Sequence, residues 1–86
     1  MKELIEMIAK QLVDDPSEVT VTEIDEGGRV RLELKVSKED MGRVIGKGGR
    51  VANSIRVLLR VAAARDGKRA SLDIVELRAR QGAESL

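Results

Sequence analysis

The chain has 86 residues and contains no cysteine, no histidine and no aromatic residue. A chain of this length is expected to fold as one domain. Without cysteine it has neither a disulfide nor a thiolate metal site, and we expect no metal and no other cofactor. Its apolar runs are far shorter than the ~20 residues of a membrane span, and the N-terminus lacks a signal-peptide pattern. We therefore expect a cytoplasmic protein without a membrane partner.

The net charge of +1 hides an uneven distribution along the chain. Residues 1–40 carry a net charge of −5, residues 41–69 carry +7, and residues 70–86 carry −1. A basic third of the chain favours a local site for a polyanion. The alternative is a charged surface whose signs happen to segregate, and charge alone does not choose between the two.

The first half of the chain predicts a helix followed by two strands. Apolar residues at helical spacing predict a helix over residues 3–13, which Pro16 ends. The β-branched segment 19–24 and the strictly alternating segment 30–36 predict strands. The short glycine-containing turn between them, residues 25–28, makes the pair an antiparallel hairpin.

The second half predicts two helices and a last strand. Ser37 begins a helix over residues 38–45, and its spacing from Asp40 resembles a capping box. Glycines break this helix, and a longer helix over residues 50–64 follows. The segment 72–77 then reads as a strand.

These elements have the order α-β-β-α-α-β and predict an α+β fold. The expected architecture is a three-stranded sheet with helices on one face. We expect the domain to span residues 1–77. Residues 78–86 contain few apolar side chains and are expected to form a flexible C-terminal tail.

The loop Gly46-Lys47-Gly48-Gly49 between the two later helices is the most informative stretch. Its glycines allow the backbone to approach a ligand closely, and the following helix presents unpaired N–H groups with a partial positive charge. Lys47 is long enough to reach a phosphate, and Arg43 and Arg50 flank the loop. These features suit a sugar-phosphate backbone.

Other interpretations of this loop fit less well. A Walker A loop has four residues between its glycines and a Ser or Thr after the lysine, whereas three residues separate Gly42 from Gly46, and Gly48 follows Lys47. A dinucleotide-binding loop joins a strand to a helix in a parallel sheet, but this loop joins two helices and no parallel crossover is apparent. A glycine-rich turn without any ligand is the structural alternative.

The segment Val44–Gly49, placed between two helices, resembles the GXXG signature of KH domains. The helix-first order matches their type II topology. Residues 39–46, 49–52 and 55–56 resemble more specifically the small KhpA-type bacterial RNA-binding proteins, as does the end of the first helix at residues 12–16. The resemblance covers about residues 2–77.

This resemblance implies a single-stranded RNA-binding protein that holds about four nucleotides in a groove, with the GXXG loop on the backbone. It implies a role in post-transcriptional regulation or as an RNA chaperone. It further implies a homodimer, or a heterodimer with a Jag/KhpB-type RNA-binding protein. The candidate RNA-binding residues are Gly46, Lys47, Gly48, Gly49, Arg43, Arg50, Ile45, Val44 and Arg56, with Val51 beside the groove.

The long helix has three sides with different expected roles. The first side is apolar and is expected to face the core; it consists of Val51, Ile55, Leu58, Leu59 and Ala62. Arg56 and Arg60 lie one turn apart on a second side, which is either a basic rail for phosphates or a solvated face. The third side carries Val57, Val61 and Ala64.

Val57 and Val61, together with Leu58, are the candidate contacts for a second copy or a partner. Scattered apolar surface residues, which are common, are the alternative. A KH-fold adaptor with vestigial RNA binding is thus the second functional hypothesis. Because no aromatic ring is present for base stacking, we predict weak, salt-dependent RNA binding. No nucleophile–base or metal-ligand pattern is present, so we do not expect an enzyme.

Overall fold

The computed structural model describes residues 1–77, and the predicted order of elements is confirmed. The helices and strands are α1 (Lys2–Leu12), β1 (Thr20–Asp25), β2 (Arg29–Val36), α2 (Met41–Ile45), α3 (Arg50–Arg65) and β3 (Arg69–Glu76). Short 3₁₀ turns connect some of them, at Pro16–Glu18, Lys38–Asp40 and Lys47–Gly49. The predicted flexible tail, residues 78–86, lies outside the described residues.

The sheet has the order β1-β2-β3, with β2 in the centre. β1 and β2 form the predicted antiparallel hairpin, but β2 and β3 are parallel. The expectation that no parallel crossover is present is therefore wrong. A parallel connection needs a dozen or more residues, and α2 and α3 together supply that length, although the glycine loop between them makes them look like two unrelated helices in the sequence.

The core lies between the helices and one face of the sheet. β2 alternates as predicted, and its four apolar side chains are completely buried: Val30, Leu32, Leu34 and Val36. α1 adds Ile5 and Ala9 to the same cluster. Burying one such aliphatic side chain contributes roughly 1.5–3 kcal/mol relative to leaving it exposed. The alternate residues of the strands face away from the helices.

The face that α3 buries agrees with the predicted one at Ile55 and Leu59 but differs at other positions. Its buried residues are Ala52, Ile55, Leu59 and Ala63. Leu58 is 52% exposed, so its predicted place in the core is wrong, and Ala62 is only partly buried. The prediction followed the large apolar side chains and therefore included Leu58. The helix instead buries the small residues Ala52 and Ala63.

The predicted helix over residues 38–45 is divided into a 3₁₀ turn and α2. The predicted capping box is also wrong, since Ser37 makes no side-chain hydrogen bond to the helix start. Its hydroxyl instead donates to the Asp40 carboxylate at 3.2 Å. The reason is that the Asp40 side chain is buried and turned toward the end of α1.

Candidate nucleic-acid interface

The loop between α2 and α3 turns on three glycines with positive φ. The φ angles are 77° at Gly46, 66° at Gly48 and 79° at Gly49, values that residues with a side chain adopt only at a cost. The Gly46 N–H donates to the Gly42 carbonyl at 2.9 Å, and the Gly49 N–H donates to the Gly46 carbonyl at 3.1 Å. The turn therefore depends on glycine for its backbone conformation.

The two ends of this loop are packed differently. A Cβ added at Gly46 would overlap Val51 Cγ2 and would lie 2.8 Å from the Val51 backbone nitrogen. A Cβ at Gly48 or Gly49 would meet no atom within 4 Å. The start of the loop is thus held tightly against α3, while its tip faces open space.

Positive charge and free N–H groups are concentrated at the open tip. Lys47, Gly48 and Arg50 are exposed. Within residues 1–77 the backbone N–H groups of Lys47 and Gly48 donate no hydrogen bond, and neither basic side chain forms an ion pair. These donors stand at the start of the 16-residue α3, where the helix dipole adds partial positive charge. The arrangement is suited to an anion.

Arg43, on the α2 side of the loop, is held by two carboxylates. Its Nη2 lies 2.9 Å from Asp14 Oδ2, and its Nη1 lies 3.7 Å from Asp40 Oδ1. A phosphate would have to compete with these acids for the guanidinium. Of the three predicted basic residues near the loop, Arg43 is therefore the one already engaged within the protein.

Asp40, which the sequence suggested only as part of a capping box, is a buried carboxylate. Its oxygens accept the backbone N–H groups of Asp14 at 3.0 Å and Asp15 at 3.2 Å. The hydrogen bond from Asp14 is the main cause that lowers the pKa of Asp40. The Asp15 N–H, the Ser37 hydroxyl and Arg43 act in the same direction, and burial opposes them. Asp40 ties the end of α1 to the start of α2, which leads into the loop.

The predicted apolar residues of the site have different depths. Val44 is completely buried, so it supports the loop from the core and does not line a surface. Ile45 and Val51 are partly buried and pack against the core on either side of the loop. Of these three predicted residues, only Ile45 and Val51 can therefore offer apolar surface beside the glycines.

A groove lies between α3, the helix that follows the loop, and the edge of β3. It is lined by Arg56, Leu59, Arg60, Ala70, Ser71 and Leu72. The Arg56 Nε donates to the Leu72 carbonyl at 3.2 Å, so this side chain joins the two walls. Arg60 is exposed at the rim. The sequence left open whether Arg56 belongs to a basic rail for phosphates or to a solvated face, and it did not predict the hydrogen bond to β3.

β3 is an edge strand that turns part of its backbone toward the groove. The Arg69 N–H donates to the Gly28 carbonyl at 2.9 Å, so the N–H of Arg69 points toward β2. Because N–H and C=O groups alternate in direction along a strand, those of Ala70 and Leu72 point away from β2. The bond from Arg56 to Leu72 agrees with this direction. The sequence predicted no order of the strands in the sheet, so it did not reveal this edge.

The predicted partner strip on α3 is exposed. Val57, Leu58 and Val61 are 52%, 52% and 57% exposed, and Ala64 next to them is exposed as well. The strip lies on a side of the helix that contributes nothing to the core. Its role as a contact surface stays a prediction.

Two structural features concern other classes of site. Across residues 1–77, every helix is too short or too polar to cross a lipid bilayer. The same residues contain no cluster of acidic side chains arranged to hold a metal ion.

Comparison with known proteins identifies close relatives. The family model described as the KH domain of KhpA/KhpB matches residues 2–74. The RNA-binding protein KhpA of Clostridium acetobutylicum is 51% identical over 75 residues, which is 87% of this chain and 100% of the relative. The protein of the same name from Aquifex aeolicus is 42% identical over 76 residues, covering 88% of this chain and 96% of the relative.

A solved structure shares the fold at lower sequence identity. The crystal structure of Era in complex with MgGDPNP and nucleotides of 16S ribosomal RNA matches with a TM-score of 0.55 at 20% identity. The match covers 87% of this chain and spans 29% of the Era chain. The predicted α+β fold of type II KH topology is confirmed. The family model and relatives that match over nearly the whole described chain show that this protein belongs to the KhpA/KhpB KH-domain family.

Proposed function

We propose that this protein binds single-stranded RNA, and that the Gly46–Gly49 loop with the start of α3 holds the phosphate backbone. The observation that carries the proposal is the open tip of the loop. There the N–H groups of Lys47 and Gly48 lie beside the basic side chains of Lys47 and Arg50, and none of these groups has a partner within residues 1–77. The relatives named RNA-binding proteins support the choice of ligand.

In this proposal the loop and the groove have separate tasks. Backbone N–H groups and basic side chains hold phosphate oxygens by charge-assisted hydrogen bonds, which carry no base information. The bases enter the groove, where the outward N–H and C=O groups of Ala70 and the outward N–H of Leu72 offer hydrogen bonds, since the Leu72 carbonyl already accepts from Arg56. Arg56 holds β3 at a fixed distance from α3. No catalytic step is involved.

The affinity of a single domain is expected to be low. Base–aromatic stacking contributes about 1–3 kcal/mol per base in many RNA-binding proteins, and this chain has no aromatic residue. Two linked domains raise the effective affinity without new contacts. We therefore propose a homodimer, or a heterodimer with a KhpB-type protein, that acts in the cytoplasm in post-transcriptional regulation or as an RNA chaperone.

A second candidate function is a KH-fold adaptor that acts mainly through protein contacts. The exposed strip of Val57, Leu58 and Val61 favours it, since three large apolar side chains on one helix are each more than half exposed. In that case RNA binding by the loop would be vestigial. The two candidates make opposite predictions for substitutions in the loop.

The test of the RNA-binding site is the double substitution Lys47→Asp with Gly48→Asp. It replaces a cation by two carboxylates at the loop tip, so we expect binding of short single-stranded RNA to weaken by roughly tenfold or more at low salt. Fluorescence anisotropy measures the binding, and circular dichroism confirms that the variant is folded.

The matched control is Lys10→Asp with Gln11→Asp, which changes the net charge equally on the exposed side of α1. The control is expected to bind RNA nearly as the native protein does. A folded loop variant with native affinity would exclude the proposed mechanism and would favour the adaptor.

A further inference from the structure

Three arginines lie together on the face of the sheet that the helices leave uncovered. Arg29 on β2 is the register partner of Arg69 on β3. Arg31 lies two residues further along β2 and therefore points to the same face. All three are exposed, and neighbouring strands are only about 4.8 Å apart. We call Arg29, Arg31 and Arg69 the arginine cluster.

Contacts within the sheet do not explain why three arginines are placed together. Within residues 1–77 none of its three guanidinium groups forms an ion pair. The acids of the same face, Glu33 and Asp73, are register partners of each other farther along the strands. Like charges placed opposite each other destabilise strand pairing, so the facing pair of Arg29 and Arg69 works against the stability of the sheet. An external anion would relieve the repulsion among the arginines.

The arginine cluster is continuous with the groove between α3 and β3. Beyond Arg60 the groove is bordered by Lys68, Arg69 and Ala70. A further depression on the other side of the β3 edge is lined by Arg29, Arg69, Ala70 and Ser71. Arg69 and Ala70 line both the end of the groove and this further depression. The surface therefore passes from the groove around the edge of β3 to the uncovered face without interruption.

The shape and sign of this surface identify the class of ligand. The cluster is exposed and spread along a path, which suits a chain of phosphates better than a single enclosed anion. An acidic protein segment is negatively charged, as RNA is, and would also be attracted to the arginines. The basic path, however, begins in the groove that is proposed to bind RNA. Continuity with that groove favours the same RNA strand as the occupant.

We propose that RNA leaving the groove turns around the edge of β3 and that Arg29, Arg31 and Arg69 bind its phosphates on the uncovered sheet face. This extended site rests on the proposed function, since the loop and groove hold the preceding part of the strand. The cluster contributes affinity and no base recognition. It gives the protein a longer footprint than the about four nucleotides held by a KH loop.

The test compares a short and a long RNA on the triple variant Arg29→Gln, Arg31→Gln, Arg69→Gln. The native protein is expected to bind an oligonucleotide of about 12 nucleotides more tightly than one of about four. In the variant the long RNA should bind roughly three- to tenfold more weakly, with the salt dependence reduced by about two ions. Binding of the short RNA should be unchanged.

A second triple variant controls for the loss of charge. Lys2→Gln, Lys10→Gln and Lys38→Gln also removes three cations from exposed positions, but away from the sheet face, and it should keep the advantage of the long RNA. The inference is overturned if the cluster variant keeps native affinity for the long RNA, or if it weakens both RNAs equally.

The outcome for the loop is measured separately. Lys47→Asp with Gly48→Asp should weaken binding of both the short and the long RNA. If it does so while the cluster variant behaves as native, the proposed function stands and the extended site fails. If the loop variant binds both RNAs normally, the proposed function fails whatever the cluster does.

Discussion

Gly46 differs from the other glycines of the loop in having no room for a side chain. Its φ of 77° and ψ of 169° lie in a region that only glycine adopts readily. Val51, two residues into the loop's following helix, occupies the space where a Cβ would stand. The first glycine of the motif is therefore required for packing, whereas Gly48 is required for its conformation alone.

This difference predicts unequal effects of two alanine substitutions. Gly48→Ala should lower the free energy of unfolding by about 1–2 kcal/mol, the cost of a left-handed conformation. Gly46→Ala should cost more, because about 1–3 kcal/mol of backbone strain is added to the overlap with Val51. Urea denaturation of the two variants measures the difference, and equal losses of stability would contradict the packing argument.

At the scale of the element, α3 presents different sides to different neighbours. Ile55 and Leu59 face the core, and Arg56 faces the groove. The strip that contains Val57 and Val61 faces neither. An exposed apolar strip on a helix whose other sides are occupied is the natural place for a contact with another protein chain.

The partner strip leads to a prediction about association. Val61→Asp puts a charge in the middle of the strip, which would be buried without a counter-ion in a dimer, so association should weaken. Binding of short RNA by each chain should stay at the native level. Size-exclusion chromatography with light scattering over a range of concentrations measures the association, with the exposed Gln11→Asp on α1 as the control. A native chain that is monomeric throughout would contradict this role.

At the scale of the whole molecule, Asp40 joins parts of the chain that are far apart in sequence. Its carboxylate connects the turn after α1 to the segment that begins α2. Because folding lowers the pKa of Asp40, the ionised form favours the folded state. That contribution is fully present above the ordinary value of 3.8 and is lost as the pH falls through the lower pKa of the folded protein.

The pH dependence of unfolding tests this connection. The midpoint of thermal unfolding should fall as the pH is lowered below about 3.8. Asp40→Asn should lower the midpoint at neutral pH and should reduce its fall at acidic pH, since the variant has no carboxylate to protonate. Glu39→Gln, an exposed neighbour, is the control. An Asp40→Asn variant with native stability at neutral pH would show that the carboxylate is dispensable.

The sequence contained the local features of this fold but not its long-range pairings. Strict alternation revealed β2, and three glycines beside one lysine revealed the loop, because these patterns are confined to adjacent residues. The parallel pairing of β2 with β3 depends on residues some 40 positions apart, as in the pair Arg29 and Arg69. The sequence did not reveal the arginine cluster, because only this pairing brings Arg69 beside Arg29 and Arg31. In addition, Arg29 and Arg31 belong to the part of the chain whose net charge is negative.

The role of Asp40 was hidden in the same way. Its partners are the backbone N–H groups of Asp14 and Asp15, which carry no sequence signal. Leu58 was assigned to the core because hydrophobicity places a residue on a helix face without showing how closely that face approaches the sheet. Small residues such as Ala52, which is buried, are underweighted by that criterion.

Arginines at the open edge of β3 also affect whether another strand can be added to the sheet there. An uncapped strand edge is a template on which another strand can add, and proteins commonly protect such edges with charged side chains. Here the Arg56 guanidinium occupies the Leu72 carbonyl, and Arg69 places positive charge at the beginning of the strand. A second copy approaching edge to edge would bring like charges together and would find an acceptor already taken. The same residues that line the groove thus disfavour the addition of a further strand at the β3 edge.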